Sequence, residues 1–206
     1  MEIMNQIENL KKIAKNKLAN NDPAHDFEHI MRVYRNAEKL CKTENGNKKL
    51  ILSAVLLHDI VKIKNRNDSS VKSAKLSKKI LKENYFSLDE IMIVSDAIKE
   101  HSFSKGNIPS TSEGKILQDA DRLDAIGAIG LARVFSFSGS NNRPFYDPKD
   151  PFSKNRSVND KKWALDHFYE KLLTLEQKMN TKTGKLMAKK RTKILKDFLK
   201  EIKNEI

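Results

Sequence analysis

Apolar residues recur at helical spacing along most of this chain. Ile3, Ile7, Leu10, Ala14 and Leu18 form one stripe over residues 2–19, which predicts an amphipathic helix. The polar stretch Asn20–Ala24 ends it, with Pro23 forcing an extended turn. Asp26 is placed to cap a second helix, whose buried positions are Phe27, Ile30, Val33 or Tyr34, Ala37, and Leu40 or Cys41. The apolar run Leu50–Leu57 predicts a third helix over about 48–60, ending on His58 and Asp59. Lys64–Asp68 reads as a loop, and Ser69 or Ser70 starts a helix that continues to about Asn84. Ser87-Leu88-Asp89-Glu90 is a capping box, in which serine and glutamate satisfy each other's free amide. It opens a helix that carries Ile91, Val94 and Ile98, with His101 near its end.

Ser110-Thr111-Ser112-Glu113 repeats the capping signature before a helix holding Ile116, Leu117, Ala120, Leu123, Ile126, Gly127 and Gly130. Two glycines inside a helix cost about 1 kcal/mol each relative to alanine. Close approach of a neighbouring helix or a ligand is the expected compensation. Residues 138–159 turn polar, contain Pro144, Pro148 and Pro151, and show no period, which predicts a functional or mobile loop. Phe145, Tyr146 and Phe152 are there to rest on the body or to stack on a base. Residues 160–206 read as helical, with two helices meeting near Thr181–Gly184. No strand, internal repeat or second domain is legible. The expected fold is all-α, a compact multi-helix domain over residues 1–206, with its core motifs in 25–135 and a helical C-terminal tail.

With 38% hydrophobic and 33% charged residues over 206 positions, the chain is globular and large enough to bury a core. No apolar run approaches the roughly 18–20 residues of a membrane span, and the first residues lack a signal-peptide pattern. A single cysteine excludes an internal disulfide framework and fits a reducing interior, so a cytoplasmic location is expected. Cys41 lies in an amphipathic helix and reads as a small core residue rather than a nucleophile. The net charge of +13 is mostly lysine spread over nearly every predicted helix. That favours a solvated basic surface that draws in anionic substrates over a dedicated nucleic-acid surface.

The chemistry gathers at His58-Asp59. A buried helix end is costly for an imidazole and a carboxylate unless something satisfies them, and a first-row divalent ion suits both. Two further clusters keep it company: His25-Asp26-Phe27-Glu28-His29 upstream and Asp119-Ala120-Asp121-Arg122-Leu123-Asp124 downstream. His29, His58-Asp59 and Asp121 follow the His…His-Asp…Asp order of the HD-domain superfamily of metal-dependent phosphohydrolases, which the chain resembles. The resemblance extends to His25-Asp26-x-x-His29-x-x-Arg32-Val33, to Glu100-His101-Ser102, to Asp119–Gly130, and to the tail from His167 to Arg191. It thus covers nearly the whole chain and points to one bacterial and archaeal subgroup.

The resemblance implies His29, His58, Asp59 and Asp121 as ligands of one divalent ion (Mn2+, Co2+, Ni2+ or Mg2+), with positions left for water and substrate oxygens. Adjacent helical residues diverge by about 100°, so His58 and Asp59 share an ion only if it sits in the wedge between them, as a helix end permits. Among the nearby acids, Asp121 and Asp124 share a helix face while Asp119 points elsewhere. The family pattern aligns its ligand with Asp121. Asp124 then reads as a catalytic group on the substrate side, or as an ion-pair partner of Arg122 or Arg133. His101 is a candidate proton donor to the leaving group or a phosphate binder, unless it only closes a helix C-terminus. His25 reads as a pocket residue or a locally bonded loop residue, and His167 as structural. Lys62 resembles the lysine of HD-x-x-K variants; Asp26 and Glu28 are outlying candidates for a base acting through water.

The implied reaction is hydrolysis at phosphorus, with Arg32, Lys62 and Arg133 as candidates to neutralise developing charge. The implied partner is a small-molecule nucleotide, and the subgroup likeness favours nucleoside or deoxynucleoside triphosphates cut to monophosphate and pyrophosphate. Two alternatives stand beside it. One is a 5′-nucleotidase acting on monophosphates; the other is a basic helical module that binds RNA or DNA around a structural metal. The chain lacks a Gly-rich phosphate loop, the downstream paired histidines of cyclic-dinucleotide HD enzymes and an alarmone-type synthetase domain. No membrane partner is expected, and no oligomeric state is legible.

Overall fold

The computed structural model describes residues 2–19, 26–61, 66–102 and 106–206. All regular structure among them is helical, so the fold is all-α. The side chain of Ile3, the break at 20–24 with Pro23, and Lys64 and Asn65 of the expected loop lie outside the described residues. The chain divides into two compact units, Met1–Asp121 and Arg122–Ile206.

The first unit holds α1 (Glu2–Leu18), α2 (Phe27–Leu40), α3 (Lys48–Leu57), α4 (Arg66–Glu83), α5 (Leu88–Glu100) and most of α6 (Ser112–Asp124). Helix α3 is its centre: every residue from Leu50 to Leu57 is buried, and α1, α2 and α5 pack around it. Asn47 caps α3 by accepting the Leu50 N–H at 3.3 Å. Helix α2 buries Ile30, Val33, Tyr34, Ala37 and Leu40, so both Val33 and Tyr34 face inward. Phe27 and Cys41 are only half-buried, and burial raises the Cys41 thiol pKa above its ordinary value. The capping box forms at α5, with Glu90 N donating to Ser87 Oγ at 3.3 Å and Ser87 N to Glu90 Oε2 at 2.9 Å. Helix α4 starts at Arg66 rather than at Ser69 or Ser70. A first turn leaves its amides free in any case, so polar residues there are no obstacle.

The second unit holds α7 (Gly127–Ser140), α8 (Asp166–Glu170), a 3-10 turn over Leu172–Thr174, and α9 (Lys182–Glu205). The helix expected to run through Gly130 is broken. It stops at Asp124, Ile126 is extended, and Gly127, the first residue of α7, takes φ +81°. A Cβ on Gly130 would lie 2.2 Å from the Ala125 carbonyl oxygen, and one on Gly127 would lie 3.1 Å from Arg191 Cγ of α9. Glycine is therefore required first by the reversal itself, and at Gly127 also by the close approach of a neighbouring helix. Helix α7 absorbs the start of the expected loop, since it continues to Ser140 with Ser138 buried. The remaining irregular segment is tied down at both ends: Arg143 donates to Ser138 Oγ at 2.8–3.0 Å, and Leu165 N donates to Phe145 O at 2.8 Å. Phe145 rests on Phe135 at 5.1 Å between ring centroids, and Phe135 meets Phe168 and Phe198 in one aromatic cluster. Thr181 caps α9 through the Gly184 N–H at 3.0 Å. No helix among the described residues is long and apolar enough to cross a membrane.

Candidate metal centre

Four segments of the first unit each deliver polar side chains to one place. Asp26 takes the His29 N–H at 2.9 Å and so fixes the first turn of α2, which carries the buried His29. His58 is the C-cap of α3, and His101 is the C-cap of α5. The last carbonyls of a helix lack intrahelical donors, and both rings exploit this. His58 Nδ1 lies 2.7 Å from Val55 O, and His101 Nδ1 lies 2.6 Å from Ile98 O. A carbonyl only accepts, so in both rings Nδ1 bears a hydrogen, and in the neutral form of either ring Nε2 presents the lone pair. Asp59 follows in the turn after α3, and Asp121 comes from α6.

The donor atoms converge. His29 Nε2 lies 3.6 Å from Asp121 Oδ1 and 3.9 Å from Asp59 Oδ2. His58 Nε2 lies 3.8 Å from Asp59 Oδ2 and 4.0 Å from Asp121 Oδ1. His101 Nε2 lies 3.9 Å from Asp59 Oδ1, with its ring centroid 5.0 Å from that of His58. Two overlapping sets, His29 with His58 and Asp121, and His58 with Asp59 and His101, each keep their donor atoms within 4.8 Å.

His58 Nε2 is buried and has no hydrogen-bond partner. A lone pair facing two carboxylates in a buried site is repulsive unless positive charge lies among them. Burial acts to raise the Asp121 pKa, but His58, His29 and His101 outweigh it and hold the carboxyl below its ordinary value. For His101 burial dominates, with His58 adding to it, and the ring pKa falls below that of a free imidazole despite Asp59 and Asp121. A buried His58 Nε2 without a hydrogen-bond partner, set beside the carboxyl groups of Asp59 and Asp121, calls for a cation. Donors 3.6–4.0 Å apart are spanned by two bonds of about 2.0–2.2 Å, and imidazole with carboxylate suits a first-row divalent ion. The residues present fit such an ion.

The structure thus brings His29, His58, Asp59 and Asp121 together and adds His101 to the same cluster, its Nε2 turned to Asp59 rather than outward. Arg32 is half-buried on α2, three residues beyond His29. Asp119 is fully buried and belongs to neither donor set. Asp124 and Arg133 lie in the second unit and hold each other, Arg133 Nη1 donating to Asp124 Oδ2 at 2.6 Å. His167 Nδ1 meets Asp160 Oδ2 at 2.9 Å in the same unit. Asp26 is engaged as a helix cap, Glu28 is exposed, and His25 and Lys62 lie outside the described residues. The sequence reading passed over Asn36 and Gln118, both buried near the ligand positions. Their signal is a polar side chain on a face otherwise written in apolar residues.

Comparison with known proteins gives a consistent picture. A sequence model of the HD domain matches residues 26–126. The crystal structure of an HD-superfamily hydrolase from Bacillus thuringiensis is 34% identical, covers 98% of this chain and 97% of its own, and superposes with a TM-score of 0.78. YpgQ from Bacillus subtilis, solved in complex with ADP, is 27% identical over 100% of this chain and 97% of its own, with a TM-score of 0.77. A hydrolase of the HD superfamily predicted from an uncultured Thermotogales bacterium is 27% identical, covering 96% and 91% of the two chains at a TM-score of 0.66.

Proposed function

The chain belongs to the HD superfamily of metal-dependent phosphohydrolases, and from that membership we propose that it hydrolyses nucleoside or deoxynucleoside triphosphates to the monophosphate and pyrophosphate. The observation that carries the hydrolytic centre is His58 Nε2, buried, without a hydrogen-bond partner and aimed at two carboxylates. His29, His58, Asp59 and Asp121 would hold one divalent ion. Such an ion supplies Lewis acidity toward phosphate oxygens and makes water acidic enough to attack near neutral pH.

The chain's own residues complete the site. The Nδ1 bonds to Val55 and Ile98 keep His58 and His101 in the tautomer whose Nε2 accepts. His101 in that state takes up a proton rather than giving one, so its role leans to a base or a further ligand and away from a phosphate-binding imidazolium. Arg32, half-buried one turn beyond His29, is the described cation suited to neutralise phosphoryl oxygens. A nucleotide substrate is supported by the whole-length relative solved with ADP and by a net charge of +13, which favours capture of polyanions.

The test is a nucleotide panel assayed with Mn2+, Co2+, Ni2+ and Mg2+, reading orthophosphate and pyrophosphate separately. Pyrophosphate release from triphosphates, lost in His58→Ala and Asp59→Ala, is the expected result. Orthophosphate from monophosphates would overturn the substrate assignment in favour of a 5′-nucleotidase. Turnover that survives both substitutions would overturn the centre.

A further inference from the structure

Helix α6 carries Gln118, Ala120 and Asp121 within four residues, and each is tied to a different part of the candidate centre. Asn36 stands seven residues beyond His29 on α2, about two turns on and therefore on the same face. It is buried, and its Nδ2 donates to the Ala120 carbonyl at 3.1 Å, across to the residue that precedes Asp121. Gln118 is fully buried one turn before Asp121. Its Nε2 donates to the carbonyls of His101 at 3.2 Å, Asn107 at 3.0 Å and Glu100 at 3.4 Å. The Glu100 and His101 carbonyls end α5, where no further helical N–H follows to take them.

Apolar side chains would fill either position. What the amides add is direction, because a hydrogen bond weakens steeply with length and angle whereas apolar packing tolerates a slide. A slide of one residue along a helix is about 1.5 Å, enough to spoil the 3.6 Å approach of His29 to Asp121. We propose that Asn36 and Gln118 are positioning residues: an amide brace through α6 that sets Asp121 against His29 on one side and against His101 on the other. The brace rests on the reading of the cluster as a divalent-metal centre.

The test measures Mn2+ binding to the full chain without nucleotide, by the loss of the free-ion EPR signal on titration, alongside far-UV circular dichroism and thermal unfolding. Asn36→Leu and Gln118→Met keep volume and remove the donors. Ser53→Ala is the control, since that buried hydroxyl donates only to the Lys49 carbonyl of its own helix at 2.8 Å. Loss of a group that orients a ligand typically weakens metal affinity about 10–100-fold. Each brace variant is expected to fall in that range while the control stays within about twofold. Should Asn36→Leu not fold, Asn36→Ala carries the same measurement. Brace variants that unfold more easily yet bind Mn2+ as the wild type does would show a purely structural role and overturn the brace. A wild-type chain that binds no Mn2+ would instead overturn the metal reading, and the brace with it.

Discussion

Arg133 and Asp124 face each other at 2.6 Å, the carboxylate buried and the guanidinium partly exposed. Both residue types suit catalysis, yet here their charges compensate one another within the second unit. Asp124→Asn is therefore expected to act on stability, lowering it by about 1.5–3 kcal/mol for a charge-assisted hydrogen bond. Urea unfolding reads that loss, and Mn2+ titration should show near wild-type affinity. Asp121→Asn should do the opposite, abolishing Mn2+ binding. An Asp124→Asn variant of normal stability without Mn2+ binding would contradict this division of labour.

Metal removal should cost the folded chain the binding energy of the ion. With a divalent ion at about 100 times its dissociation constant, linkage stabilises the folded chain by about 2.7 kcal/mol. Chelation should therefore lower the melting temperature. In chelator, Asp121→Asn should melt no higher than the wild type, because His58, His29 and His101 favour the ionised carboxylate in the folded chain, and MnCl2 should raise the melting temperature of the wild type alone. Thermal unfolding of both chains with EDTA and with MnCl2 checks this, and indifference of the wild type to EDTA would refute it.

How much was legible follows from how local each signal is. His29, His58, Asp59 and Asp121 lie on elements whose period and caps can be read, in an order that carries a family resemblance. The Asn36 bond to Ala120 spans 84 positions and the Gln118 bond to His101 spans 17, so neither leaves a local trace. The break after Asp124 was hidden because Ile126, Gly127 and Gly130 fit a continuing apolar stripe equally well. Only the φ of +81° at Gly127 separates the two readings. The polar stretch after Ser140 lacks period because its order comes from side-chain bonds that converge on Asp166 rather than from a repeating backbone ladder.

That glycine gives a direct check on the break. Alanine at Gly127 would have to adopt a left-handed conformation, at a cost of about 1–2 kcal/mol, with its Cβ 3.1–3.2 Å from Arg191 side-chain carbons. Gly127→Ala is expected to lower the urea midpoint accordingly. A continuous helix would instead gain from the same change, by about 1 kcal/mol, so the sign of the shift decides.

Tyr85 occupies the left-handed position after α4, at φ +61°, with Phe86 N donating back to Leu81 O at 3.1 Å and Tyr85 N to Lys82 O at 3.2 Å. This is the helix-ending turn that glycine favours, and the tyrosine ring is 89% exposed, so little packing offsets the strain. Tyr85→Gly should stabilise the chain by about 1 kcal/mol, the left-handed cost less the added freedom of the unfolded chain. A fall in melting temperature would mean that the exposed ring makes a stabilising contact in solution.

Asp166 offers a pH-dependent test of what orders the irregular segment. Its carboxylate is fully buried and accepts from Arg156 Nη1 at 2.6 Å, Arg156 Nη2 at 2.8 Å, Asn159 N at 2.6 Å and Ser153 Oγ at 3.1 Å. Burial acts to raise its pKa, but Arg156 and the other donors outweigh it, and the folded-state value lies below that of an ordinary aspartate. Its stabilisation is thus fully present above the unfolded value of about 3.9 and is lost as pH falls through the lower folded value, where the folded state must also take up the proton. Asp166→Asn carries no such charge. It should be less stable than the wild type at pH 7 and pH 5, and the gap should narrow below about pH 4 as the wild-type carboxylate is protonated. Urea midpoints of the two chains across that range decide the matter. A gap that stays constant down to pH 3 would mean that the carboxylate's charge is not what holds residues 153–159 to α8.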